Sequence, residues 1–115
     1  MPVVISGEID LDPAARDQAL RDAVPLIAAA LAEKGCVHYA WSADLSRPGR
    51  VNVFEEWETE ADLAFHLSAE PYLKMAGNLA AVGITSAATR KYRVDLIEPV
   101  YDPDGKPRAD FFTAS

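Results

Sequence analysis

The sequence predicts an α+β domain of the ferredoxin-like, split βαβ type: one antiparallel sheet with helices on one face. Three observations carry this. Period-2 strand patterns and period-3.6 helix patterns follow one another as strand, helix, strand, strand, helix, strand. Ser46-Arg47-Pro48-Gly49 separates two strand-like runs with the Pro and Gly that a tight turn favours. Both faces of that hairpin carry large apolar or aromatic groups, so the face without helices calls for a partner, most simply a second copy of the chain.

Each element has its own warrant. Residues 2–11 alternate Val3, Ile5 and Ile9 with Val4, Ser6, Glu8 and Asp10, and Gly7 signals a bulge or a close backbone approach. Asp12-Pro13 opens a helix that should run to about Lys34 and stop at Gly35. Leu20, Val24, Ile27 and Leu31 give it an apolar stripe, and Pro25 should kink or split it near residues 22–24. In the run Cys36–Leu45, alternation groups Val37, Tyr39 and Trp41 on one face and Cys36, His38 and Ala40 on the other. In Arg50–Glu58, Val51, Val53, Glu55 and Trp57 oppose Asn52, Phe54 and Glu56. Thr59 caps the next helix, with Asp62 three residues on, and Leu63, His66 and Leu67 share its inner stripe. A break is expected near Ser68–Pro71, after which Tyr72, Met75, Leu79 and Val82 continue the stripe. Residues 88–97 read as the last strand. Residues 1–98 thus form the domain and 99–115 an extension, with a turn at Asp102-Pro103-Asp104-Gly105 and Arg108–Thr113 returning as a short strand or reaching to a neighbour.

Bulk properties narrow the function. The 115 residues suffice for one domain, and 11 Lys and Arg against 18 Asp and Glu give a formal charge of −7. No basic stripe is present, so a nucleic-acid surface is not expected, and no apolar run is long enough to span a bilayer. A cytoplasmic protein is the default. The one cysteine, Cys36, reads as a small buried hydrophobe, with His38 two residues on as the only feature favouring a reactive thiol. Glycine-rich phosphate loops, CxxC, HExxH and GxSxG motifs are absent. What remains is a constellation. His66 on the inner helix face suits a general base, because imidazole titrates near neutrality. Glu55 and Trp57 offer an acceptor and an aromatic wall, and Tyr39, Asn52 and Tyr72 are candidate polar groups around an apolar pocket. Each of these residues also has a purely structural reading, and His38 is expected at the surface or an interface.

Gly35-Cys36 through Tyr39, then Phe54-Glu55-Glu56-Trp57, then Glu60-Ala61-Asp62-Leu63 and His66, resembles the antibiotic biosynthesis monooxygenase family. The resemblance spans about residues 3–97. It implies a ferredoxin-like protomer paired as a dimeric α+β barrel. It also implies oxygenation of a small aromatic substrate (quinol, anthrone or aromatic polyketide) by O₂ without metal or flavin, the substrate being its own reductant. On that implication His66 is the base or proton relay, Trp57 and Tyr39 the pocket wall, and Asn52 and Tyr72 orienting groups. A haem-degrading branch of the same superfamily uses a later helical histidine and an asparagine in the first strand. Residues 72–78 hold no His and residues 2–11 no Asn, so the chain departs from that branch. The alternative is a non-catalytic dimer of the same fold, small-molecule-binding or stress-associated.

Overall fold

A computed structural model describes residues 1–113. Its elements are β1 (Val3–Leu11), α1 (Arg16–Leu31), β2 (Cys36–Ala43), β3 (Arg50–Trp57), α2 (Glu60–Ser68), α3 (Glu70–Val82) and β4 (Ile84–Arg93). The strands form one antiparallel sheet ordered β2-β3-β1-β4. This is the expected ferredoxin-like arrangement, with the second helical region split in two.

Strand alternation decides which face the helices cover. Val3, Ile9 and Leu11 of β1 and Val51, Val53, Glu55 and Trp57 of β3 all turn inward and are buried. At the hairpin end Ile9, Leu11, Val51 and Val53 pack against Ala23 of α1 and Met75 and Leu79 of α3. At the other end Val3, Tyr39 and Trp57 pack against Ala30 of α1 and Leu63 of α2. Among the described residues no helix lies over the outer face of the sheet, and Phe54 there is 41% exposed.

Local signals set the connections. Gly7 is a close approach: a Cβ there would lie 2.1 Å from the Ala88 carbonyl oxygen. Gly35 combines φ of +80° with a position where a Cβ would strike the Asp62 carboxylate, so only glycine fits the turn from α1 into β2. The Pro48-Gly49 turn closes with Arg50 N donating to Arg47 O. Asp44 secures the same loop by accepting from Ser46 and Arg47. Thr59 Oγ1 accepts from Asp62 N at 3.0 Å, the expected cap of α2. Ala69 then turns extended, and Pro71 sits in the first turn of α3.

Several expectations are corrected. The helix α1 begins at Arg16 rather than Asp12, because residues 13–15 form a separate turn held by Asp12. Pro25 does not split it: Pro25 and Arg21 lie on the solvent side, where the carbonyl freed by the missing N–H meets water. Its buried face runs through Ala23 and Ala30, with Leu20 and Ile27 partly buried, while Val24 is 60% and Leu31 49% exposed. Small alanines let the helix lie close to the sheet, and this rotates the larger residues outward. The last strand is 84–93, not 88–97, because β4 zips along β1 from Leu11 to Val3 and ends where its partner ends. A register shift between Cys36 and His38 turns Cys36 inward, opposite Trp57, rather than onto the outer face with His38. In the extension, Asp102–Gly105 forms the expected turn and Tyr101 bridges to Pro107, but residues 108–113 form no strand. Ala114 and Ser115, the end of that extension, lie outside the described residues.

Candidate functional site

The inner face of β3 places Glu55 and Trp57 side by side, two residues apart on one strand. Trp57 is fully buried, and its Nε1 donates to Glu55 Oε1 at 3.1 Å. The α2 helix lowers His66, 1% exposed, onto this pair. The imidazole lies 4.5 Å from the Trp57 ring at an interplanar angle of 31°, and Tyr39 and Tyr72 meet it edge-on at 5.3 and 5.7 Å. Its Nδ1 stands 3.0 and 3.2 Å from the two carboxylate oxygens of Glu33, in the turn after α1. Its Nε2 points to Glu55 Oε1 at 3.9 Å and, among the described residues, has no hydrogen-bond partner. An imidazole is thus held between two carboxylates inside an aromatic box.

Burial pushes the Glu55 carboxyl above its ordinary range, opposed by the Trp57 N–H and by His66 and reinforced by Glu33. Burial likewise pushes the Tyr39 phenol up, with the Glu55 charge adding to it, so Tyr39 stays a neutral phenol across the physiological range. The Cys36 thiol is also raised by burial and by Glu33 and Glu55, which favours the inert thiol over the reactive one.

Beside this cluster a cavity of about 280 Å³ opens between the sheet and the α2–α3 pair. Its walls are Ile5, Ile9, Trp41, Val53, Leu67, Met75, Ala76, Leu79 and Ile84, and its polar groups are Glu55, Tyr72 and Thr89. Glu55 and Tyr72 therefore face the cavity, while His66, Trp57 and Tyr39 stand behind Glu55. That places Trp57 and Tyr39 as the backing of the pocket rather than its wall. Asn52 does not join the site: it lies on the opposite strand face, bonded through Nδ2 to Asp44 Oδ2. His38 is exposed on that outer face, 6.0 Å from Phe54.

Two site residues escape the sequence reading. Trp41, two residues after Tyr39 on the same face, is reachable from alternation alone, and its Nε1 is buried without a partner. Glu33 has no such signal, because only the tertiary fold brings the turn after α1 against α2. Among the described residues no group of three or more His, Cys, Asp or Glu is placed to hold a metal ion, and no helix is long and apolar enough to cross a membrane.

The family model for antibiotic biosynthesis monooxygenase matches residues 2–78, from β1 into α3. No curated protein matches the sequence. Among solved structures, a candidate antibiotic biosynthesis monooxygenase from Deinococcus radiodurans aligns with a TM-score of 0.78 at 21% identity, covering 87% of this chain and 99% of its own. A conserved protein from Methanosarcina mazei Go1 aligns at 0.73 and 20% identity, over 81% and 92% of the two chains. A protein from Mycobacterium tuberculosis aligns at 0.72 and 22%, over 85% and 98%. At these identities the structural likeness establishes a shared fold.

Proposed function

The chain belongs to the antibiotic biosynthesis monooxygenase family, and from that membership we propose that it oxidises a small aromatic substrate (a quinol, an anthrone or an aromatic polyketide) with O₂ and without a bound cofactor. The observation that carries this reading is a desolvated carboxyl, Glu55, facing an otherwise largely apolar cavity and backed by His66. The cavity lies just under the ~300–1,000 Å³ of pockets for drug-sized ligands, which suits a small flat ring system.

In this reading Glu55 takes a proton from the substrate, such as the ring CH₂ of an anthrone, leaving an electron-rich anion. Apolar walls exclude water and strengthen every charge interaction inside. The anion gives one electron to O₂, the radical and superoxide join through a C–O bond as a peroxide anion, and this takes back the proton to give a hydroperoxide that loses water. The CH₂ and O₂ become C=O and H₂O. The Tyr72 phenol, on the cavity wall, orients the substrate oxygen. His66 acts behind Glu55 rather than on the substrate. The test is O₂ uptake by metal-free, flavin-free protein with a panel of quinols and anthrones, corrected for autoxidation. Turnover should fall at least about tenfold in His66→Ala and further in Glu55→Gln.

A second reading, a binding protein without turnover, draws on one observation: the imidazole does not itself reach the cavity. Ligand binding with no O₂ uptake above background would favour it. The homodimer belongs to the same proposal, supported by the uncovered outer face, by the exposed Ile97 and by an extension that leaves Val100, Tyr101 and Phe111 exposed. So does the cytoplasmic location expected from the sequence.

A further inference from the structure

The proposed acceptor, Glu55, is one end of a three-residue chain whose other end the proposed chemistry does not yet use. Glu33 is separated from His66 by 33 positions in sequence, yet both its carboxylate oxygens lie within 3.2 Å of Nδ1. Its side chain is 10% exposed and that of His66 is 1% exposed. A carboxylate accepts hydrogen bonds and donates none, so this contact requires the proton on Nδ1. In the neutral ring Nε2 is then a bare lone pair, and it is the buried nitrogen with no partner, 3.9 Å from Glu55 Oε1. An unpaired polar atom this deeply buried costs stability and asks for a role. Trp57 lies against the ring face, and Tyr39 and Tyr72 meet it edge-on.

We propose that Glu33 fixes the tautomer of His66, so that Nε2 holds the proton that Glu55 removes from the substrate and later returns it. This rests on the reading of Glu55 as acceptor. The proton leaves the substrate for the Glu55 carboxylate, and a closure of about 1 Å brings Oε1 from 3.9 Å to hydrogen-bond distance of Nε2. Transfer to Nε2 makes an imidazolium between two carboxylates, with Glu33 balancing its charge from the Nδ1 side. Glu55, ionised again, faces the anion during its reaction with O₂. The stored proton returns through Glu55 to the peroxide anion made by O₂ addition, and the hydroperoxide so formed loses its remaining ring C–H proton and its terminal hydroxide together as water. No proton is gained or lost over the cycle, which matches CH₂ + O₂ giving C=O + H₂O. Glu33 touches no substrate and is a positioning residue.

The test is the ¹⁵N spectrum of the imidazole in the ligand-free protein on a His38→Asn background, which leaves His66 as the only histidine. At about pH 9, where a free imidazole is neutral, the protein should show the Nδ1–H form alone. Glu33→Gln keeps an accepting oxygen and should keep that form. Glu33→Leu removes the acceptor and should move the proton to Nε2, facing Glu55. A wild-type ring protonated on Nε2, or a Glu33→Leu spectrum unchanged from wild type, overturns the assignment. With any substrate the wild type oxidises, Glu33→Leu should lower kcat at least about tenfold with KM within about twofold, and Glu33→Gln should recover part of the loss. An unchanged kcat in Glu33→Leu overturns the proton-holding role. If the wild type oxidises nothing, the reading of Glu55 fails by itself, and the spectrum still decides what Glu33 does.

Discussion

At the scale of single residues, two kinds of carboxylate behave oppositely. Asp10 is paired with Arg50 through two hydrogen bonds and bonded by Ser86, which holds it down at about 2. Asp44 is held at about 2 by Asn52, Ser46 and Arg47. A depressed folded value means the unfolded chain binds protons first as pH falls. Both groups therefore stabilise the fold above about pH 4, and that contribution disappears between about 4 and 2. Urea midpoints measured across that window should fall with acid in the wild type and fall less in Asp10→Asn. Glu55 has the reverse sign: burial raises it, so its ionised form opposes folding at neutral and alkaline pH. Glu55→Gln keeps an oxygen to accept from Trp57 Nε1. Thermal melts at pH 8 should show it more stable than wild type by a few degrees, although it has lost turnover. A lower melting temperature would mean the Glu55 charge is compensated in the fold.

At the scale of elements, the site depends on the two connections that deliver Glu33 and His66. Gly35→Ala puts a Cβ into the Asp62 carboxylate at a positive φ, and denaturation should show a loss of about 1–3 kcal/mol. Thr59→Ala removes the cap of α2 and should cost about 1 kcal/mol. Both elements were legible in the sequence because their signals are local: a glycine after an apolar stripe, and a Thr three residues before an Asp. The pairing of Glu55 with Trp57 was legible from strand period alone, and so was the inward turn of His66. The α1 stripe was misjudged by rotation, since Ala23 and Ala30 look indifferent in sequence and become the contact face only when a sheet is present. Asn52 is a site candidate by residue type alone, while its strand period places it on the far face. Glu33 lay beyond any periodic rule, because its partner is 33 residues away and on another element.

At the scale of the whole molecule, the Cα radius of gyration is 16.1 Å, against about 13 Å for a compact domain near this size. The excess fits an extension that runs past the sheet, held by Glu98 to the backbone of Phe112 and Thr113 but leaving its apolar side chains exposed. Light scattering should give a mass near 25 kDa, twice the 12.5 kDa of one chain. Deleting residues 99–115 should weaken dimer formation at micromolar concentration while leaving the melting of the protomer core intact. A monomer at high concentration would refute the pairing. The residues that line the cavity all come from one protomer.

The central claim is that Glu55 removes a proton from a substrate held in the cavity. It is tested most directly without O₂, by mixing the protein anaerobically with an anthrone below the pH at which it ionises in water and following the visible absorption of the anion. The wild type should form the anion within the mixing experiment, and Glu55→Gln should not, although both bind the anthrone. Equal anion in the two proteins, or none in the wild type with the anthrone bound, would contradict the claim.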